Sequence, residues 1–141
     1  MYESVLIPLD GSELAESILT ELDQIAITSG TRLVLIRVCS VHTISNSYVS
    51  ETRSQIVQEA ESYLENMKAR LNAKGFTVEV HVCYGDPAFE ILDLAELVDV
   101  NLIIMSTHGR SGFGRWLLGS VAEKVIRHSS KPVLLKPVRT T

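Results

Sequence analysis

Three apolar runs constrain this chain most: Val5-Leu6-Ile7, Leu33-Val34-Leu35-Ile36 continuing to Val38, and Leu102-Ile103-Ile104-Met105. A strand that is apolar on successive residues must be covered on both faces, which is the condition of a central strand in a parallel sheet. The segments between the runs have helical period. Leu14, Ile18, Leu22 and Ile25 predict a helix running to about Ser29, ended by Gly30, with Asp10 and Glu13 at capping-box spacing before it. Ile56, Ala60, Tyr63, Met67 and Leu71 predict a second helix, closed by Lys74-Gly75. Asp86-Pro87 places an N-cap before a proline at the first helical position, and Ala88, Ile91, Leu92 and Ala95 continue that helix. Val121, Ala122, Val125 and Ile126 mark a fourth. Two strands differ from the three apolar runs. Val78, Val80 and Val82 alternate with Glu79, His81 and Cys83, while Val133-Leu134-Leu135 lies between Pro132 and Pro137, so both are expected at sheet edges. The polar stretch Ser40 to Ser50 reads as a loop.

Strands and helices therefore alternate from end to end. The fold class expected is α/β, a single domain over residues 1–141 with a doubly wound five-stranded parallel sheet of order 3-2-1-4-5 and helices on both faces. In that order the winding reverses between the first and fourth strands, and ligands bind outside the carboxyl ends of strands at such a point. Topology alone thus selects two segments, the loop after Leu9 and the glycine-rich stretch after Met105.

Charge narrows the partners. The chain carries 13 Lys+Arg and 17 Asp+Glu, a formal net charge of −4, which disfavours a nucleic-acid partner. The average hides a split: residues 1–107 have a net charge of −10, and residues 108–141 have +6. No apolar run approaches the ~20 residues of a membrane helix. The opening Met1-Tyr2-Glu3-Ser4 has no basic stretch, so no signal peptide, no membrane partner and a cytoplasmic location are expected. Cys39 and Cys83 are isolated and are expected as reduced thiols packed on strands.

The two selected segments carry polar chemistry. Gly119-Ser120 precedes the last helix, whose free N–H groups and positive dipole end suit phosphate. Ser120 and Glu123 also form a capping box, so Ser120 has a purely structural alternative. Asp10 suits a ribose hydroxyl, with helix N-cap as its alternative. Arg110 and Arg115 are candidate phosphate ligands or solvated loop charges. A P-loop is excluded because its Lys-Ser/Thr pair is missing, and a nucleophile elbow because Gly109-Arg110-Ser111-Gly112 has the wrong spacing. His42, His81, His108 and His128 show no metal-ligand spacing.

These residues resemble the universal stress protein family, in particular its ATP-binding branch. That family's fingerprint is Gly, two residues, Gly, nine residues, Gly, then Ser or Thr. Here Gly109, the nine residues Arg110 to Leu118, Gly119 and Ser120 match it, and Ser106 replaces the first glycine. Val5-Leu6-Ile7-Pro8-Leu9-Asp10-Gly11-Ser12 and Lys131-Pro132-Val133-Leu134-Leu135 resemble the family's opening and closing strands. The resemblance implies an adenine nucleotide alpha-hydrolase-like fold that binds ATP, or ADP or AMP, with Mg2+ or Mn2+. It implies that Pro8, Leu9 and Asp10 border the adenosine, with Asp10 on the ribose, and that Val38 meets adenine through its backbone. Met105, Ser106, Gly109 and Arg110 would line the ribose and α-phosphate, and Gly119, Ser120 and Val121 the distal phosphates. It further implies a homodimer through the Val133–Leu135 strand and a stress-response regulatory role. The alternatives are a nucleotide-free relative working through protein contacts and, less favoured, a slow ATPase.

Overall fold

A computed structural model describes residues 2–25, 27–40, 50–110 and 116–138. The elements run β1 (Ser4–Pro8), α1 (Glu13–Glu16), two 3-10 turns (Ser17–Thr20 and Leu22–Ile25), β2 (Arg32–Ser40), α2 (Ser50–Ala73), β3 (Thr77–Gly85) and α3 (Pro87–Leu97). They continue with β4 (Leu102–Arg110), β5 (Trp116–Leu117), α4 (Ser120–His128) and β6 (Val133–Val138). The three apolar runs become β1, β2 and β4 at the centre of one sheet. β1 pairs in parallel with β2 and with β4, β2 with β3, and β4 with β6. The parallel order is thus β3-β2-β1-β4-β6, the expected 3-2-1-4-5 with β6 as the fifth strand.

Alternation along each strand divides the core. Val5 and Ile7 of β1, with Leu33 and Leu35 of β2, face Leu64, Met67 and Leu71 of α2. Leu6, Val34 and Ile36 face Ala88, Ile91 and Leu94 of α3 and Ala122 and Val125 of α4. Successive β1 side chains therefore enter different cores, as the period of 2 requires. The sheet's lower end is fixed through Asn101, whose Oδ1 accepts from the Glu3 N–H at 3.0 Å and the Ser4 N–H at 2.9 Å. The Asn101 N–H in turn donates to the Ser4 carbonyl at 2.9 Å. Cys39 is buried and Cys83 half-buried, both free, and burial pushes both thiols above their ordinary pKa.

Three expectations need correction. The first helix does not run to Ser29: it is four residues long and gives way to two 3-10 turns. Ser17, Thr20, Asp23 and the β-branched isoleucines are weak helix formers, and the Thr20 hydroxyl donates to the Ser17 carbonyl at 2.8 Å. Asp10 is not that helix's cap. Ser12 is, its Oγ accepting from the Ala15 N–H at 3.1 Å, while Asp10 Oδ1 accepts from the Ser12 N–H at 2.9 Å. The stretch after Met105 is not loop at once. β4 continues to Arg110 because β6 pairs with it from Ile103 to His108, and β5 pairs antiparallel with His108 and Arg110. Of the polar stretch Ser40 to Ser50, Ser40 ends β2 and Ser50 begins α2; positions 41–49 lie outside the described residues. Arg115 does too.

Leu64 lies fully buried between α2 and the sheet. Leu64→Ala should lower unfolding stability by about 2–5 kcal/mol, read as a lower urea midpoint at unchanged slope.

Candidate functional site

The carboxyl ends of β1, β2 and β4 open into one cavity of about 390 Å³. That volume falls within the roughly 300–1,000 Å³ of small-molecule sites. Its lining joins the two segments that topology selects. Pro8, Leu9, Asp10, Ser12 and Ala15 come from the end of β1 and its turn, and Ile36 and Val38 from β2. Met105, Ser106 and Thr107 come from β4, Pro87 and Ile91 from α3, and Gly119 to Ala122 from the start of α4.

The cavity lining combines different chemistries. Ile36, Val38, Pro87, Ile91 and Met105 give it apolar side chains of the kind that suit a flat ring. Asp10 adds an exposed carboxylate. Its position follows from the local hydrogen bonds, since Leu9 N–H donates to the Ile36 carbonyl at 2.8 Å and Asp10 itself accepts from Ser12.

The start of α4 is the cationic counterpart without a cationic side chain. The N-cap is Gly119, with φ −66 and ψ 158, and no side chain caps the helix. Ser120 is the first helical residue, so its capping-box alternative is not the one adopted. The uncapped first-turn amides give this end an affinity for an anion. Gly119 owes nothing to backbone strain, and a Cβ placed on it would meet nothing within 4 Å. The fold does not require glycine there, whereas close approach of a ligand would.

Nine of the sequence-expected site residues thus meet in one cavity: Pro8, Leu9, Asp10, Val38, Met105, Ser106, Gly119, Ser120 and Val121. Gly109 and Arg110 follow on β4, and their side chains lie outside what is described, as does that of His108. Sequence reasoning missed Ser12, Ala15, Ile36, Thr107, Pro87, Ile91 and Ala122. For Pro87 and Ile91 the signal was available: they lie one turn apart on a helix that a right-handed crossover must carry from β3 over β2 and β1 to β4. Among the described residues no group of three His, Cys, Asp or Glu is placed to hold a metal. No helix among them is long and apolar enough to cross a membrane. A second groove of about 440 Å³, lined by Asp86, Phe89, Leu92, Lys124 and His128 among others, runs on the outer side of α3 and α4. It lacks the strand ends of the switch point.

Comparison with known proteins agrees with this fold. The group described as the Universal stress protein family matches residues 1–137. The chain belongs to the universal stress protein family. Universal stress protein MJ0577 of Methanocaldococcus jannaschii is 31% identical over 153 residues, covering 96% of this chain and 94% of that one. The solved structure of MJ0577 superposes with a TM-score of 0.83 at 35% identity, over 100% of this chain and 98% of that one. Two more distant structures share the fold. A universal stress protein solved in complex with cAMP has a TM-score of 0.71 at 24% identity, with 99% of each chain covered. One from Archaeoglobus fulgidus in complex with dAMP has a TM-score of 0.65 at 21% identity, over 95% and 97% of the two chains.

Gly119→Val tests the role of this helix start. It should cost no more than about 1 kcal/mol of stability, the scale of a cap change, while removing affinity for a phosphorylated ligand. Thermal unfolding and ligand titration of the same sample read the two effects.

Proposed function

We propose that this chain binds ATP, or another adenine nucleotide, in the switch-point cavity and acts as a regulatory module of the stress response. The observation that carries this is that one cavity is lined by apolar side chains, a carboxylate and an uncapped helix start. These three chemistries match the parts of a nucleotide, which are a flat base, a ribose with paired hydroxyls and an anionic tail. Base contacts fall to Ile36, Val38, Pro87 and Ile91, with the Val38 backbone meeting adenine. Asp10 accepts from the ribose, Met105, Ser106, Gly109 and Arg110 border the ribose and α-phosphate, and Gly119, Ser120 and Val121 hold the distal phosphates. The cAMP and dAMP complexes of distant family members support an adenine nucleotide as the ligand.

A divalent cation, Mg2+ or Mn2+, would neutralise the phosphates. Asp10 is the one carboxylate among the described lining residues. That fits a cation held chiefly by phosphate oxygens and water, as Mg2+ usually is. Binding rather than hydrolysis is the assigned activity. Among the described lining residues Asp10 is the one candidate base for water, and the ribose contact assigned to it leaves none for hydrolysis. Ser106 favours a second reading. It lines the cavity at the position where the family fingerprint has glycine, and its side chain takes space that a nucleotide would use. On that reading the chain acts through protein contacts alone.

We also place a homodimer contact on β6. Its Val133, Leu134 and Leu135 are half-buried within one chain, and β6 forms a sheet edge. An apolar edge with free backbone groups invites pairing with a second copy. A cytoplasmic location accords with this role.

Mass spectrometry of purified, denatured protein, combined with titration by Mg·ATP, tests the nucleotide reading. Adenine nucleotide released or bound is expected, and Asp10→Ala should weaken binding roughly 10-fold or more, the loss of one charge-assisted hydrogen bond. No release and no binding would favour the Ser106 reading. For the homodimer, sedimentation equilibrium should give the mass of two chains; a monomer at all concentrations would exclude it.

A further inference from the structure

Arg37 lies outside the cavity lining, at the end of β2 on the face turned to α2. Its guanidinium carbon sits 4.7 Å from the centroid of the Tyr63 ring, a cation–π contact. Burial, and after it the Glu16 carboxylate, pushes the Tyr63 hydroxyl up to about 12. The phenol is therefore neutral at physiological pH, and the ring offers an uncharged face. The guanidinium also lies close to Gly11. A Cβ placed on Gly11 would stand 2.7 Å from Arg37 Nη1 and 3.2 Å from both Cζ and Nη2. Gly11 also has φ +88, a left-handed conformation that side chains avoid. Glycine at this position thus does two things: it permits the turn, and it leaves the space that the guanidinium occupies.

The turn so held is the one that forms the site. Leu9 and Asp10 before Gly11 line the cavity, as does Ser12 after it. The Ser12 N–H donates to Asp10 Oδ1 at 2.9 Å across the clamped residue. We propose that Arg37, in contact with the Tyr63 ring and close to Gly11, is a positioning residue that holds the Leu9–Ser12 turn and so presents Asp10 to ligand. This rests on the nucleotide reading above, with Asp10 as ribose acceptor. Planarity is what the device needs. A lysine would keep the charge but would neither stack on the ring nor present a planar group beside Gly11.

Two measurements on the full chain test it. In the ligand-free protein, hydrogen exchange of the Ser12 amide reports the turn directly. Arg37→Met should raise that exchange about tenfold, and should weaken Mg·ATP binding by about the same factor, with thermal unfolding little changed. Arg37→Lys should behave like Arg37→Met. Tyr63→Phe keeps the ring and should restore near wild-type values, while Tyr63→Leu should not. Unchanged Ser12 exchange in Arg37→Met would overturn the proposal, whatever the affinity. So would full affinity in Arg37→Lys, because the role would then be one of charge and not of packing. Faster Ser12 exchange with unchanged affinity would overturn it as well. If wild type binds no Mg·ATP, the nucleotide reading falls, and the exchange comparison alone decides whether Arg37 holds the turn.

Discussion

The burial of β1 on both faces is the constraint from which the rest follows. Val5, Leu6 and Ile7 are all fully buried, and they point alternately into the α2 core and into the core of α3 and α4. A five-residue strand can be covered in this way only if it lies in the middle of the sheet, with β2 on one side and β4 on the other. The chain must then leave β1 in one direction and return to its other flank later. That reversal opens a crevice at the strand ends, and the crevice is the cavity. The site is a consequence of how the central strand is covered.

The strand order was legible because apolar strands read as central and alternating or proline-bounded ones read as edges. The cavity's location was legible for the same reason, before any motif. Other features depended on partners distant in sequence. Residues 106–110 have a loop-like composition, yet they form strand because β6, as far as His108, and then β5 supply pairing partners. The segment Ser17–Ile25 keeps an apolar spacing that α-helical and 3-10 turns satisfy almost equally over so short a length, and side-chain competition decided the outcome. Asp10 and Ser12 are both good caps by composition, and only the turn at Gly11 determines which one caps. Pro87 and Ile91 carry no motif, and the crossover alone brings them to the cavity.

The uneven charge of the chain also resolves in three dimensions. Among the described residues, each of the four basic side chains of the +6 segment has an acidic partner. Lys131 pairs with Asp99 at 2.5 Å, Lys136 with Glu21 at 3.3 Å, Lys124 with Asp86 at 4.0 Å and Arg127 with Glu123 at 2.8 Å. Three of these acids come from the −10 segment. Pairs as exposed as Arg127–Glu123 are worth about 0–1 kcal/mol each, so their main effect is to spread charge. Among the described lining residues, what the cavity offers an anion is the backbone of α4, whose first turn no side chain caps. Oriented amides at a helix start can favour an anion locally even in a protein of net negative charge.

A crystal structure grown with saturating Mg·ATP tests this account most directly. The account predicts a base between Val38 and Ile91, a ribose against Asp10, and phosphates on the amides of Gly119 to Val121. Nucleotide bound instead in the outer groove beside Phe89 and His128, or phosphates turned away from the start of α4, would contradict it.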